Sequence, residues 1–141
     1  MANISITAAN VIAPSGSSYV AGKVAGESIT TGELVYLKAS DGKVWKASTF
    51  TLETASVIGM AANTAAAGQP ITVISKSAAC AIGSVVTAGN LYFLSATAGK
   101  MCQVADYSGA SADYPVYICQ AVTASTISFD FTTVPYPAFR A

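Results

Sequence analysis

Ile29-Thr30-Thr31-Gly32-Glu33-Leu34-Val35-Tyr36-Leu37-Lys38-Ala39-Ser40-Asp41-Gly42-Lys43-Val44 decides the fold, because the chain repeats it. Val86-Thr87-Ala88-Gly89-Asn90-Leu91-Tyr92-Phe93-Leu94-Ser95-Ala96-Thr97-Ala98-Gly99-Lys100-Met101 matches it with Thr, Gly, Leu, Leu, Ala, Gly and Lys in register, 57 residues on. Each copy reads as turn, strand, tight hairpin, return strand. Gly32 and Gly89 suit a turn where a Cβ is costly. Leu34-Val35-Tyr36-Leu37 is a strand core, and Asp41-Gly42 fits the positive-φ positions of a hairpin turn. Leu34/Leu37 and Leu91/Leu94 break strict alternation, which implies a bulge or burial on both faces. Lys43 and Lys100 leave the turns towards solvent. The residues shared by the copies are turn and core residues, as in a duplicated scaffold.

Outward from the repeat, short segments rich in β-branched and aromatic residues alternate with Gly, Asn, Asp and Ser. Strands are expected at Val44 to Ala47, Ser56 to Met60, Pro70 to Ser75, Ala81 to Val86, Lys100 to Val104, Val116 to Val122 and Thr126 to Phe131. Ala61 to Gly68 allows one helical turn at most. The chain is therefore read as all-β, a compact β-sandwich or small barrel with an internal pseudo-repeat (about 20–75 and 78–131). Residues 1–18 form an extended N-terminal arm, 19–133 the single β domain, and 134–141 a Pro/aromatic C-terminal tail.

Composition narrows the function. The 141 residues are 52% apolar and 10% charged, with seven basic residues balancing seven acidic ones. Nucleic-acid binding draws most of its affinity from phosphate neutralisation, so no nucleic-acid partner is expected. There is no histidine, which removes the commonest general base and metal ligand. Cys80, Cys102 and Cys119 are too dispersed for a zinc site or disulfide framework and read as small buried hydrophobes, made in a reducing cytoplasm. No catalytic, cofactor or metal residues are assigned. The carboxylates read as solvated loop acids. Gly22 to Gly26 lacks the order of a phosphate loop, and a Ser75–Lys76–Ser77 nucleophile is a remote reading. The N-terminus lacks the pattern of a signal peptide, and no window reaches the ~20 apolar residues of a membrane helix.

Charge this sparse points to a surface rich in Ser, Thr, Ala and Gly, to one that faces other protein, or to both. The arm carries Ile4, Ile6, Val11 and Ile12; it is either a frayed terminus or an added strand for a neighbour's sheet. Trp45 is a core or interface anchor. The tail holds Pro135, Tyr136, Pro137, Phe139 and Arg140. Its prolines bar it from a central strand, so it docks on a neighbouring subunit or folds back on its own domain. Tyr107, Tyr114, Tyr117, Phe129, Phe131, Tyr136 and Phe139 form a late aromatic stripe, either sheet core and interface or a sugar-binding face.

Ala25-Gly26-Glu27-Ser28-Ile29-Thr30-Thr31-Gly32-Glu33-Leu34-Val35-Tyr36-Leu37, with Asp41-Gly42-Lys43-Val44, Ile58-Gly59-Met60-Ala61 and Ala67-Gly68-Gln69-Pro70-Ile71-Thr72-Val73, resembles the small decoration (cement) proteins of tailed-bacteriophage capsids. The resemblance covers roughly residues 20–75. It implies a non-enzymatic β protein, often trimeric, on the outside of an icosahedral shell. Its partner would be the major capsid protein, and it would be made in the host bacterial cytoplasm. A head-fibre, tail or glycan-binding module is the alternative.

Overall fold

The computed structural model describes residues 3–103 and 114–132. The protein is all-β, and its strands make one antiparallel sheet that curls into a half-barrel. The strands are β1 (Ser18–Val24), β2 (Leu34–Leu37), β3 (Val44–Lys46), β4 (Val57–Ala61), β5 (Pro70–Ala81), β6 (Leu91–Leu94), β7 (Met101–Gln103), β8 (Tyr117–Ala121) and β9 (Thr126–Asp130). Their order is β3-β2-β4-β5-β9-β8-β6-β7, with β1 added to β5. A single 3-10 turn, Ala8–Asn10, interrupts the N-terminal segment.

The two matching stretches pair alike. Val35, Tyr36 and Leu37 face Lys46, Trp45 and Val44; Tyr92, Phe93 and Leu94 face Gln103, Cys102 and Met101. β2 meets β4 with a bulge between Val35 and Tyr36, and β6 meets β8 with a bulge between Tyr92 and Phe93. The hairpins share an equivalent closing bond: Lys38 N–H donates to Lys43 C=O at 2.9 Å, and Ser95 N–H to Lys100 C=O at 3.0 Å. The bulge accounts for the broken alternation. Gly32, Gly42, Gly89 and Gly99 all hold positive φ, from 68° to 95°.

Burial separates the two stretches. Val35 belongs to a small cluster with Ala25, Ile29, Val44, Ala61, Ile71 and Val73. Its counterpart Tyr92 lies in the main core with Ile82, Met101, Ala121 and Ile127. Leu34 and Tyr36, on the opposite face of β2, fill that same main core. The first unit (β1 to β4 with the first half of β5) thus has its own core on one face and lends its other face to the second unit (β6 to β9 with the second half of β5). The corresponding outer face of the second unit is not covered in the same way: Leu91, the counterpart of Leu34, is 40% exposed against 1%.

β5 runs twelve residues and serves both units. Ile74 pairs with Met60 of β4, while Cys80 pairs with Ile127 of β9. A separate strand over Ala81 to Val86 does not form. β5 extends to Ala81 because that residue pairs with both Ile12 and Thr126. Beyond it, Gly83 turns the chain at φ +86°. The Ala61 to Gly68 segment forms no helix; Ala65 bridges Ile29 instead.

Candidate interaction surface

The arm lies on its own domain. Asn3 bridges Cys102, and Ile4 N–H donates to Met101 C=O at 2.8 Å. Ile12 and Ala81 exchange both backbone bonds at 2.9 Å. Ile4, Ile6 and Val11 pack on the main core. Ile6 and Val11 also close over Gly32, where a Cβ would come within 2.9 Å and 3.2 Å of their methyls. The arm meets the sheet of its own chain through isolated backbone bridges at Asn3 and Ile12, with no strand between them. Of the arm's four apolar candidates, Ile4, Ile6 and Val11 are half-buried and Ile12, 63% exposed, projects outward.

Trp45 braces the first hairpin. Its indole lies on Gly26, its Nε1–H donates to Asp41 Oδ2 at 3.1 Å, and the Lys38 ammonium sits 4.4 Å from the ring centroid. A cation over an indole face is attracted by the ring quadrupole. The Lys43 amide, then the Trp45 indole and the nearby lysines, hold the Asp41 carboxyl below its ordinary range. The indole is half-buried. Pro135, Tyr136, Pro137, Phe139 and Arg140 lie outside the described residues, as does Tyr107. Tyr117 stacks edge-on against Phe93, and Phe129 tilts against Phe131, so this part of the aromatic stripe packs within the fold.

The loop from Ala47 to Ser56 holds two residues that the sequence reading missed. Phe50 is 62% exposed and Leu52 51%. The loop is built rigidly beneath them. Thr51 and Thr54 each donate their amide to the other's hydroxyl at 3.1 Å. Ser48 N–H donates to Thr54 C=O at 3.0 Å, Ser56 Oγ–H to Leu52 C=O at 2.7 Å, and Ala39 N–H to Glu53 Oε2 at 3.0 Å. The signal in the sequence is Phe50 and Leu52 set among threonines, where short polar side chains bond their own backbone.

The polar groups serve the scaffold. Glu27 accepts Lys46 N–H, Glu33 accepts Thr30 N–H, and Asp130 accepts from the Thr132 hydroxyl and amide. These acids are more engaged than solvated loop residues. Lys100 does not leave its turn freely either: it reaches Glu33 at 3.9 Å, because the second hairpin turns back onto the first unit. Lys76 pairs with Asp130 at 3.7 Å, while the buried Ser77 hydroxyl accepts from Ser17; adjacent strand residues point to opposite faces. Cys80, Cys102 and Cys119 are all buried. Burial pushes Cys80 up to about 11 and Cys119 to about 12, which suppresses thiolate chemistry.

A cleft of about 90 Å³ lies between the arm and the junction of the two units, lined by Ile4, Ile6, Thr30, Glu33, Gly99 and Lys100. Metabolite pockets usually enclose roughly 300–1,000 Å³. Among the described residues no three His, Cys, Asp or Glu side chains gather where a metal ion could sit. Among them, too, no helix is long and apolar enough to cross a membrane. No family model matches the sequence, and a search of curated proteins finds no similar one.

Proposed function

We propose that the chain is a structural virion protein that binds the outside of a phage capsid and stabilises contacts between major capsid subunits. The braced loop carrying Phe50 and Leu52 is the observation that carries this reading. Large apolar side chains held in a fixed conformation bind protein at low entropic cost. Exposed aromatic and aliphatic anchors of this kind dominate protein interfaces. The sparse charge of the surface and the resemblance over residues 20–75 point the same way. The capsid exterior is the proposed location and a homotrimer the proposed state. Many copies, each burying on the order of 1,600 Å², would hold neighbouring shell subunits together.

Particle stoichiometry tests it. In purified particles carrying this chain, its copy number should be comparable with that of the major shell protein. Phe50→Ser and Leu52→Ser should each weaken rebinding to stripped shells while leaving the fold intact. A few copies per particle would instead indicate a fibre or tail module, and complete absence from particles would overturn the proposal.

A further inference from the structure

The second hairpin turn docks on the first unit. Gly99 N–H donates to Ala47 C=O at 2.7 Å, and Leu34 N–H donates to Gly99 C=O at 3.0 Å. Lys100 reaches Glu33, and Leu34 and Gly32 are buried beneath the turn and the arm. In the first hairpin the equivalent amide, Gly42 N–H, donates to Lys38 C=O inside its own turn at 2.9 Å. Asp41, Gly42 and Lys43 are exposed, and nothing lies within 4 Å of a Cβ built on Gly42. The edge equivalent to the docked one, Gly89 and Leu91, is also exposed. Val122, 51% exposed, follows Ala121, whose carbonyl accepts the Gly89 amide.

The molecule therefore contains one completed junction, and it leaves exposed the turn and the edge that stand at the matching positions. We propose that the Asp41–Lys43 turn of one copy docks on the Gly89–Leu91 edge of a second copy, repeating between chains the junction made within each chain. The intramolecular junction is the template. The turn has the same length and the same closing bond, with its glycine at positive φ, and the edge has the same bulge and strand register; because Gly42 N–H is already bonded within its own turn, the repeated contact lacks the counterpart of the Gly99–Ala47 bond. Asn90 stands where Glu33 stands, so Lys43 meets an amide oxygen in place of a carboxylate. The contact is head-to-tail. Such contacts close into rings when the rotation allows, and in such a ring junctions within chains alternate with junctions between them. This deepens the trimer in the function proposed above and rests on that reading only for the number of copies in the ring.

Sedimentation velocity on the full chain, across a concentration series, is the first test. The wild type should form a closed oligomer. Leu91→Lys should weaken association at least about tenfold, with an unchanged circular dichroism spectrum. Ile12→Lys, which charges an exposed apolar site elsewhere, should leave it unchanged. The second test mixes Lys43→Cys chains with Asn90→Cys chains and adds a short bifunctional thiol reagent; the native thiols are buried. Cross-linked dimers should form in the mixture and hardly at all from either variant alone. A chain that stays monomeric at every soluble concentration overturns the inference. So does an oligomer indifferent to Leu91→Lys, or one that cross-links from a single variant. Neither assay reads shell binding: shell binding by a monomer would remove this inference alone, and rings that ignore shells would remove the decoration role alone.

Discussion

Replacing Gly42 and Gly99 by alanine, one at a time, separates the strain of a turn from the value of docking it. The two glycines hold similar conformations, φ +68° and +80°. An L-residue there costs about 1 kcal/mol. The loss of unfolded-chain freedom is the same for both and cancels in the difference. At Gly42 the new methyl meets nothing within 4 Å, so the cost should be that strain alone. At Gly99 it arrives 3.2 Å from Glu33 Cβ and 3.2 Å from Glu33 Oε2. Either the turn or Glu33 must then give way. Retreat of the turn lengthens the bonds Gly99 makes to Ala47 and Leu34, and a hydrogen bond of this kind contributes about 1 kcal/mol net. The Lys100–Glu33 ion pair is part-exposed and adds less than about 1 kcal/mol. Gly99→Ala should therefore cost about 2–3 kcal/mol and Gly42→Ala about 1 kcal/mol. Urea unfolding at constant m-value reads both, best in a Leu91→Lys background so that association does not contribute. Equal costs would mean that the Gly99 turn merely lies near the first unit and is not held by it.

Three further outcomes are expected. Asp41 titrates below its ordinary value of 3.8 when folded, so its contribution to stability is present above that value and lost as pH falls through the lower folded one. The emission of Trp45, the only tryptophan, should shift with a midpoint below 3.8, and Asp41→Asn should abolish the shift; a midpoint at or above 3.8 would contradict the hydrogen bonding described. Burial raises Cys80 to about 11 and Cys119 to about 12 from 9.0; the native protein should resist thiol reagents at neutral pH, and its stability should decline as pH rises above 9 towards 11, because only the unfolded thiols then ionise. Immediate labelling of the folded chain would refute that burial. Deleting residues 1–12 strips Ile4, Ile6 and Val11 from the core and uncovers Gly32; at roughly 1 kcal/mol per half-buried side chain the cost should be about 2–3 kcal/mol, and an unchanged urea midpoint would show that the arm is not part of the domain.

The hairpins were legible because the information is local. Asp41-Gly42 and its counterpart at Gly99 specify turns through φ alone, and Leu34 to Leu37 specifies a strand through its side chains. What could not be read is which way each strand faces. Val35 and Tyr92 occupy the same register position, yet one closes a small private cluster and the other fills the main core. That difference arises from how the units stack, which no window of sequence contains. Ile4, Ile6 and Val11 were recognisable as an apolar alternation, but alternation does not say whose sheet receives it. Here the groups of Met101 and Ala81 were already in reach. Phe50 and Leu52 were overlooked because two apolar residues in a threonine-rich loop carry no periodicity. The Thr51–Thr54 bonds hold the loop through its own backbone, and the Phe50 and Leu52 side chains stay outside the core.

β5 also governs the order in which the chain can be completed. Its first half pairs with β1 and β4, both made earlier, whereas its second half waits for β9, some fifty residues later. During synthesis the edge from Ser77 to Ala81 therefore emerges without its β9 partner. Non-local pairing of this kind slows folding and leaves strand edges open to foreign chains. Ile12, bonded to Ala81 on the opposite edge from Thr126, is in place from the start and shields one side of that strand in the interval. A nascent chain released before Asp130 would present the other side to any neighbour, so early truncation is the route by which this protein should aggregate.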